Sequence, residues 1–260
     1  MRVENVQIRA YRLSLIHGSA PFLGLQRGRA IPESFQLVPL LMSPDMPAVR
    51  LLIGDDVGVG KSVEAGLIVS ELMARGAAER LLVVVPAALR EQWQETLDRF
   101  FHLEAVIMAG HTRPALERQL LPGQSPWDAY RVVVTSIDYV KKRIGEVLAH
   151  RWDAIIVDEI HSAQRPLVWG GSDSGLQKER WEFLEAVGKS LNVRHLIGLS
   201  ATPHPGHTDC FASLLEVLNP KTVNHNGAST ARSPTSTSFN AAAKTSRRGM
   251  EPVRPSRSAI

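Results

Sequence analysis

Two short clusters in this chain hold residue types that could do chemistry. The first is Gly54-Asp55-Asp56-Val57-Gly58-Val59-Gly60-Lys61-Ser62. A loop this rich in glycine is neither helix nor strand, and it lets backbone N–H groups converge on an anion. Asp56, Val57, Gly58, Val59 and Gly60 would form the cradle. Lys61 can reach terminal phosphates, and the Ser62 hydroxyl can hold a magnesium ion. The second cluster is Asp158-Glu159-Ile160-His161, which follows the apolar run Ala154-Ile155-Ile156-Val157. Two carboxylates at the end of a buried strand are costly unless they serve a cation or a reaction.

For these clusters to act together, the chain must place strand ends and helix starts side by side. Leu51-Leu52-Ile53 reads as a strand buried on both faces of a parallel sheet. From Lys61 onward, Val63, Leu67, Ile68 and Leu72 share one helical face. Further strands are expected at 80–86, 104–108, 130–136, 152–157 and 194–199, with helices at 87–101, 111–121, 177–191 and 211–218. In the helix at 87–101, Leu89, Trp93, Leu97 and Phe100 fall along one side, so Trp93 reads as core packing. Gly24 to Gly28 reads as a loop. This alternation predicts an α/β fold: a mostly parallel sheet with helices on both faces. A nucleotide should then lie at the carboxyl ends of the strands. In P-loop ATPases the first carboxylate of such a pair, here Asp158, holds magnesium. The second, Glu159, can position the attacking water as a base. Lys61, Asp158 and Glu159 are therefore the expected catalytic set, Ser62 and Asp158 the metal ligands, and ATP with Mg2+ the expected ligands.

One departure narrows the reading. The general phosphate-loop pattern places a glycine five residues before the second loop glycine, and here that residue is Asp55. The string from Asp55 to Ser62 instead resembles the D-E-x-G-x-G-K-T loop of Swi/Snf-type helicase-like ATPases, with Asp56 in place of glutamate, and the bacterial RapA group is the most similar. Asp158-Glu159-x-His161 is similar to the DExH signature, and Ser200-Ala201-Thr202-Pro203 follows in the order that the family requires. The resemblance covers roughly Ile31 to Leu218 and implies a single RecA-like P-loop lobe. It also implies that Gln36 reads the adenine edge. Ser200, Ala201 and Thr202, with His161, would couple the nucleotide state to a nucleic-acid site. Pro86, at the end of VVVPAALREQWQETLDRF, and Ser136 would touch the nucleic-acid backbone, which positions without reading sequence. Ser136 also reads as an ordinary helix N-cap. The implied partner is double-stranded DNA.

Composition bounds what remains. A single cysteine, Cys210, excludes an intrachain disulfide framework and fits a reducing cytoplasm. No apolar run approaches the roughly 18 residues of a membrane span. The net charge of +4 suggests a nucleic-acid surface, but its distribution does not. Residues 221–260 hold seven Lys or Arg against one acid, which leaves 23 basic against 25 acidic residues elsewhere. That final segment contains twelve Ser or Thr and no apolar periodicity. It is expected to be a disordered basic tail, because it cannot bury enough surface to offset its chain entropy. The expected organisation is a lead-in at 1–30, the ATP-binding lobe at 31–220 and the tail at 221–260. Family motors have a second lobe that supplies arginines to the transferred phosphate. No motif after Pro220 resembles it, which points to a truncated or frameshifted chain; the rival reading is a purposeful basic tail that binds nucleic acid non-specifically. Two other readings are a non-catalytic nucleotide-binding module that acts with a partner, and an unrelated P-loop kinase. The DExH and SAT motifs argue against the kinase.

Overall fold

The computed structural model describes residues 22–56, 58–166, 174–201 and 208–219. Val57, Thr202 and Pro203, the lead-in up to residue 21 and the tail from 220 onward lie outside them. Six strands form one sheet: β1 (Arg50–Ile53), β2 (Leu81–Val85), β3 (Val106–Met108), β4 (Val132–Ser136), β5 (Trp152–Val157) and β6 (Val193–Leu199). Their order is β1-β6-β5-β2-β4-β3, and every neighbouring pair is parallel. All six carboxyl ends therefore lie along one edge of the sheet. This is the RecA-like α/β lobe expected from the motif order.

The helices described are α1 (Leu23–Arg27), α2 (Leu37–Met42), α3 (Lys61–Ala74), α4 (Arg90–Phe101), α5 (Arg113–Glu117), α6 (Pro126–Ala129), α7 (Ile137–Val140), α8 (Ile144–Leu148), α9 (Ser174–Lys189) and α10 (Thr208–Leu218). The pleat sends alternate residues of each central strand into two separate cores. Leu81, Val83, Val85, Val132, Val134, Ala154 and Ile156 pack with Leu67 and Ile68 of α3 and with Trp93, Leu97 and Phe101 of α4. Leu82, Val84, Val133, Ile155 and Val157 pack on the other face with Trp181, Phe183, Leu184 and Val187 of α9 and Leu214 of α10. Burial on both faces is why β2, β4 and β5 are buried throughout and mostly apolar.

Three local expectations change. β1 is an edge strand that pairs only with β6, so Leu51 and Ile53 are buried while Leu52 is half-buried. The helix expected over 111–121 contracts to α5, none of whose residues is fully buried; Leu116 packs half-buried against the core, too small an apolar face to extend the helix. Gly24 to Gly28 is not a loop, because Leu23–Arg27 is helical. Gly24 lies against α3, where a Cβ would come within 2.8 Å of the Glu71 nitrogen. The Gly24 N–H also donates to Glu71 Oε2 at 2.7 Å. This glycine serves close approach, which a turn-oriented reading of the sequence misses.

Candidate nucleotide site

The strand order brings the chemically important segments together. β1 leads into the phosphate loop and α3; β6 leads into Ser200; β5 leads into Asp158. These three strands are consecutive in the sheet. The Ser200 N–H donates to the Ile53 carbonyl at 3.0 Å, which fixes the start of the SAT segment at the foot of the phosphate loop.

The loop has the backbone that an anion cradle needs. Gly58 and Gly60 have φ of +86° and +88°, in the left-handed region that side chains disfavour. Gly60 is also the N-cap residue of α3, so the first N–H groups of the helix face the loop with no intrahelical acceptor. A Cβ on Gly60 would come within 2.3 Å of Gln36 Nε2. The Gln36 amide donates to the Val59 carbonyl at 2.8 Å and accepts from the Glu33 N–H at 2.9 Å. Gln36 therefore buttresses the loop from the turn that precedes α2. The Lys61 ammonium folds back on its own loop and donates to the Asp55 and Asp56 carbonyls at 3.0 and 2.9 Å.

The carboxylate pair is shaped by its backbone. The Asp158 N–H donates to the Val84 carbonyl of β2 at 2.8 Å, which continues the sheet to its last residue. Asp158 Oδ1 accepts from the Glu159 N–H at 2.9 Å, and Oδ2 accepts from the Trp93 indole N–H at 2.8 Å. Glu159 has φ of +49°, a strained conformation of the kind that clusters at functional sites. That turn brings its Oε2 to 3.2 Å from His161 Nδ1, which is also 3.0 Å from Ser200 Oγ. One ring nitrogen thus bridges the DExH and SAT segments. Ala201 follows at the half-buried bend.

Two residues of the expected nucleic-acid set are placed on the same edge, at the ends of β2 and β4. Pro86 leads into a short turn, Ala87–Leu89, before α4. Ser136 is 4% exposed, and it occupies the N-cap position of α7 through its extended backbone, without a side-chain cap bond. The hydroxyl cap expected from the sequence does not form.

The structure adds two features that the pattern reading missed. Trp93 is as buried as core packing requires, yet its indole N–H is spent on Asp158. The available signal was that a buried indole nearly always finds an acceptor. Glu64, one turn into α3, is fully buried beside Asp55. Burial, and then the neighbouring Asp55 charge, push its carboxyl up to about 8. Burial also raises the Asp55 carboxyl. Both Glu64 carboxyl oxygens are buried without a hydrogen-bond partner among the described residues, and a neutral Glu64 spares the loop a second buried negative charge beside Asp55. The signal was an acid among the apolar residues of α3.

Among the described residues no helix is long and apolar enough to cross a membrane. The sequence pattern of the SNF2-related domain family matches residues 35–251. That match runs past Pro220, where the motif-based resemblance ended. The chain is 30% identical over 224 residues to the RNA polymerase-associated protein RapA of Cronobacter sakazakii, covering 84% of this chain and 21% of that protein. It is 29% identical over 222 residues to RapA of Serratia proteamaculans, with the same coverage. The chain thus spans about a fifth of the length of these curated relatives. Among solved structures, the SWI2/SNF2 ATPase core of Sulfolobus solfataricus in complex with double-stranded DNA superposes with a TM-score of 0.56 at 19% identity. That match covers 75% of this chain and 37% of the other. The SWI2/SNF2 ATPase core domain of the same organism superposes with a TM-score of 0.57 at 19% identity, covering 80% of this chain and 39% of the other.

Proposed function

The chain belongs to the SNF2-related domain family, and from that premise we propose that it forms the ATP-binding lobe of a DNA-dependent ATPase. The observation that carries this reading is the convergence at one sheet edge: a phosphate loop, a carboxylate pair and the Ser200 hydroxyl, joined by the His161 bridge. The donor set fits a magnesium nucleotide. The Gly58 and Gly60 backbone leaves room for phosphate oxygens, Lys61 supplies an ammonium, and Ser62 and Asp158 supply the hydroxyl and carboxylate that hold magnesium in P-loop ATPases. Magnesium, when bound, would neutralise charge on the terminal phosphates.

The remaining roles belong to the side chains. Lys61 exchanges the Asp55 and Asp56 carbonyls for phosphate oxygens, at little net change in hydrogen-bond count. Glu159 orients a water and accepts its proton. His161 and Ser200 sense whether Glu159 is engaged, because all three share one hydrogen-bonded cluster. Gln36 holds the loop and turns the remainder of its amide towards the adenine edge. Double-stranded DNA is the proposed partner, as in the complex of the Sulfolobus core, and it would lie across the β2 and β4 ends near Pro86 and Ser136.

Titration calorimetry with ATP and magnesium tests the site. Lys61→Ala and Asp158→Asn should each weaken binding at least about tenfold, since a charged phosphate or its cation loses a charged partner. Unchanged affinity in Lys61→Ala would remove the assignment. ATPase assays with and without duplex DNA then separate a working lobe from a non-catalytic nucleotide-binding module. Turnover that Glu159→Gln abolishes belongs to the former.

A further inference from the structure

We propose that Trp93 is a positioning residue for Asp158, and that its indole N–H holds the carboxylate in the orientation that receives the metal. The inference rests on the reading of Asp158 as a magnesium ligand. Trp93 sits in the first turn of α4, the helix that follows β2, and Asp158 ends the adjacent strand β5. Trp93 is 2% exposed, it belongs to the apolar core that includes Val83, Val85 and Leu97, and its indole N–H donates to Asp158 Oδ2 at 2.8 Å. The opposite oxygen, Oδ1, is held by the Glu159 N–H at 2.9 Å. With one protein donor on each oxygen, the plane of the carboxylate is fixed and the remaining lone pairs are directed outward. A buried neutral N–H suits this task, because it orients the anion without competing for it as a cation would. The bond also crosses the boundary between two halves of the sheet edge. The nucleotide segments follow β1, β6 and β5, and the Pro86–Leu89 turn that opens α4 follows β2.

The test uses the full chain and four proteins: the parent, Trp93→Phe, Asp158→Asn and the double variant. Thermal unfolding establishes which are folded. The readout is manganese binding to the ADP-loaded protein by electron paramagnetic resonance, alongside ADP affinity measured in EDTA. Trp93→Phe keeps the aromatic packing and removes the donor. It should raise the manganese half-saturation concentration by about 10–100-fold, the usual effect of losing a partner behind a metal ligand. ADP affinity in EDTA should stay within about twofold of the parent, well short of the tenfold change that 1.4 kcal/mol represents. In the Asp158→Asn background the same substitution should add nothing, because the acceptor it orients is gone. Benzothienylalanine at position 93, in which sulfur replaces the N–H, repeats the experiment if phenylalanine packs badly. An unchanged manganese half-saturation in both versions overturns the proposal. So does an equal loss of ADP affinity with and without metal, which would mean a packing role only. If Asp158→Asn itself leaves manganese binding unchanged, the metal-ligand reading of Asp158 fails, and the role of Trp93 falls with it.

Discussion

At the scale of single residues, burial decides what the charged and polar groups do. His195 lies in β6, 2% exposed, and its Nδ1 accepts from the Val49 N–H at 2.9 Å, so the fold requires a neutral ring. Burial, and then the charge of Arg194, push its pKa down to about 4 from an ordinary 6.5. The unfolded chain binds this proton first as pH falls, so the stabilisation is complete above about 6.5 and drains away as pH drops towards 4. The ceiling on this loss is about 3 kcal/mol. Urea midpoints measured from pH 7.5 to 4 should fall more steeply in the parent than in His195→Asn, whose side-chain oxygen can still accept from Val49. Parallel slopes would show that another group carries the acid sensitivity. Gly60 is the second residue-scale case. Gly60→Ala places a methyl group against Gln36 and forces a φ of +88° on an L side chain. It should cost about 1–3 kcal/mol of stability in chemical denaturation and weaken ATP binding as well.

At the scale of elements, α3 is the hub. It begins at the phosphate loop, packs on the sheet with α4 and carries α1 on its outer side. The α1 attachment depends on Glu71, which is 4% exposed and accepts from both the Gly24 N–H and the Arg75 guanidinium. Glu71→Ala leaves the buried Gly24 N–H without its acceptor, at a cost of about 1–3 kcal/mol. The expected outcome is faster proteolytic cleavage near residues 22–30, with the protease resistance of the sheet core retained. If cleavage rates stay equal, α1 is held by its apolar contacts and not by this carboxylate.

At the scale of the whole molecule, the sheet edge divides into a half proposed to hold the nucleotide and a half that ends in Pro86 and Ser136, and the charge is divided too. Residues 221–260 carry the excess of Lys and Arg, while the remainder is slightly acidic. Duplex binding should therefore be sequence-indifferent and steep in salt, and removing 221–260 should abolish most of it at low ionic strength. Gel-shift titrations at several salt concentrations measure this; equal binding by the shortened chain would place the surface on the lobe itself. Turnover is the second whole-molecule prediction. The family resemblance implies that the arginines reaching the transferred phosphate come from a second lobe. Such arginines contribute roughly 10³–10⁵ in rate, or about 4–7 kcal/mol of barrier. The 260 residues alone should bind ATP but hydrolyse it slowly, with little stimulation by DNA. A brisk DNA-stimulated ATPase, lost in Glu159→Gln, would mean that an arginine reaches the phosphate from within this chain or from a second copy of it.

The sequence by itself determined the lobe and the local strings proposed for its site. Gly58, Gly60, Lys61 and Ser62, Asp158 to His161, and Ser200 are local strings whose spacing is set by backbone geometry and reads directly. The apolar runs of β2, β4 and β5 likewise announce strands covered on both faces. What only the tertiary structure decided are the relations between strings. The order β1-β6-β5 sets Ser200 at the foot of the phosphate loop and His161 against Ser200. The edge position of β1 depends on pairing across most of the chain, from residue 50 to residue 196. Trp93 and Gly24 show the limit most clearly. An indole on an apolar helical face looks like core, and a glycine near another glycine looks like a turn, until the partner that each one meets is in place. Those partners, Asp158 and Glu71, are distant in sequence, and no local spacing encodes them.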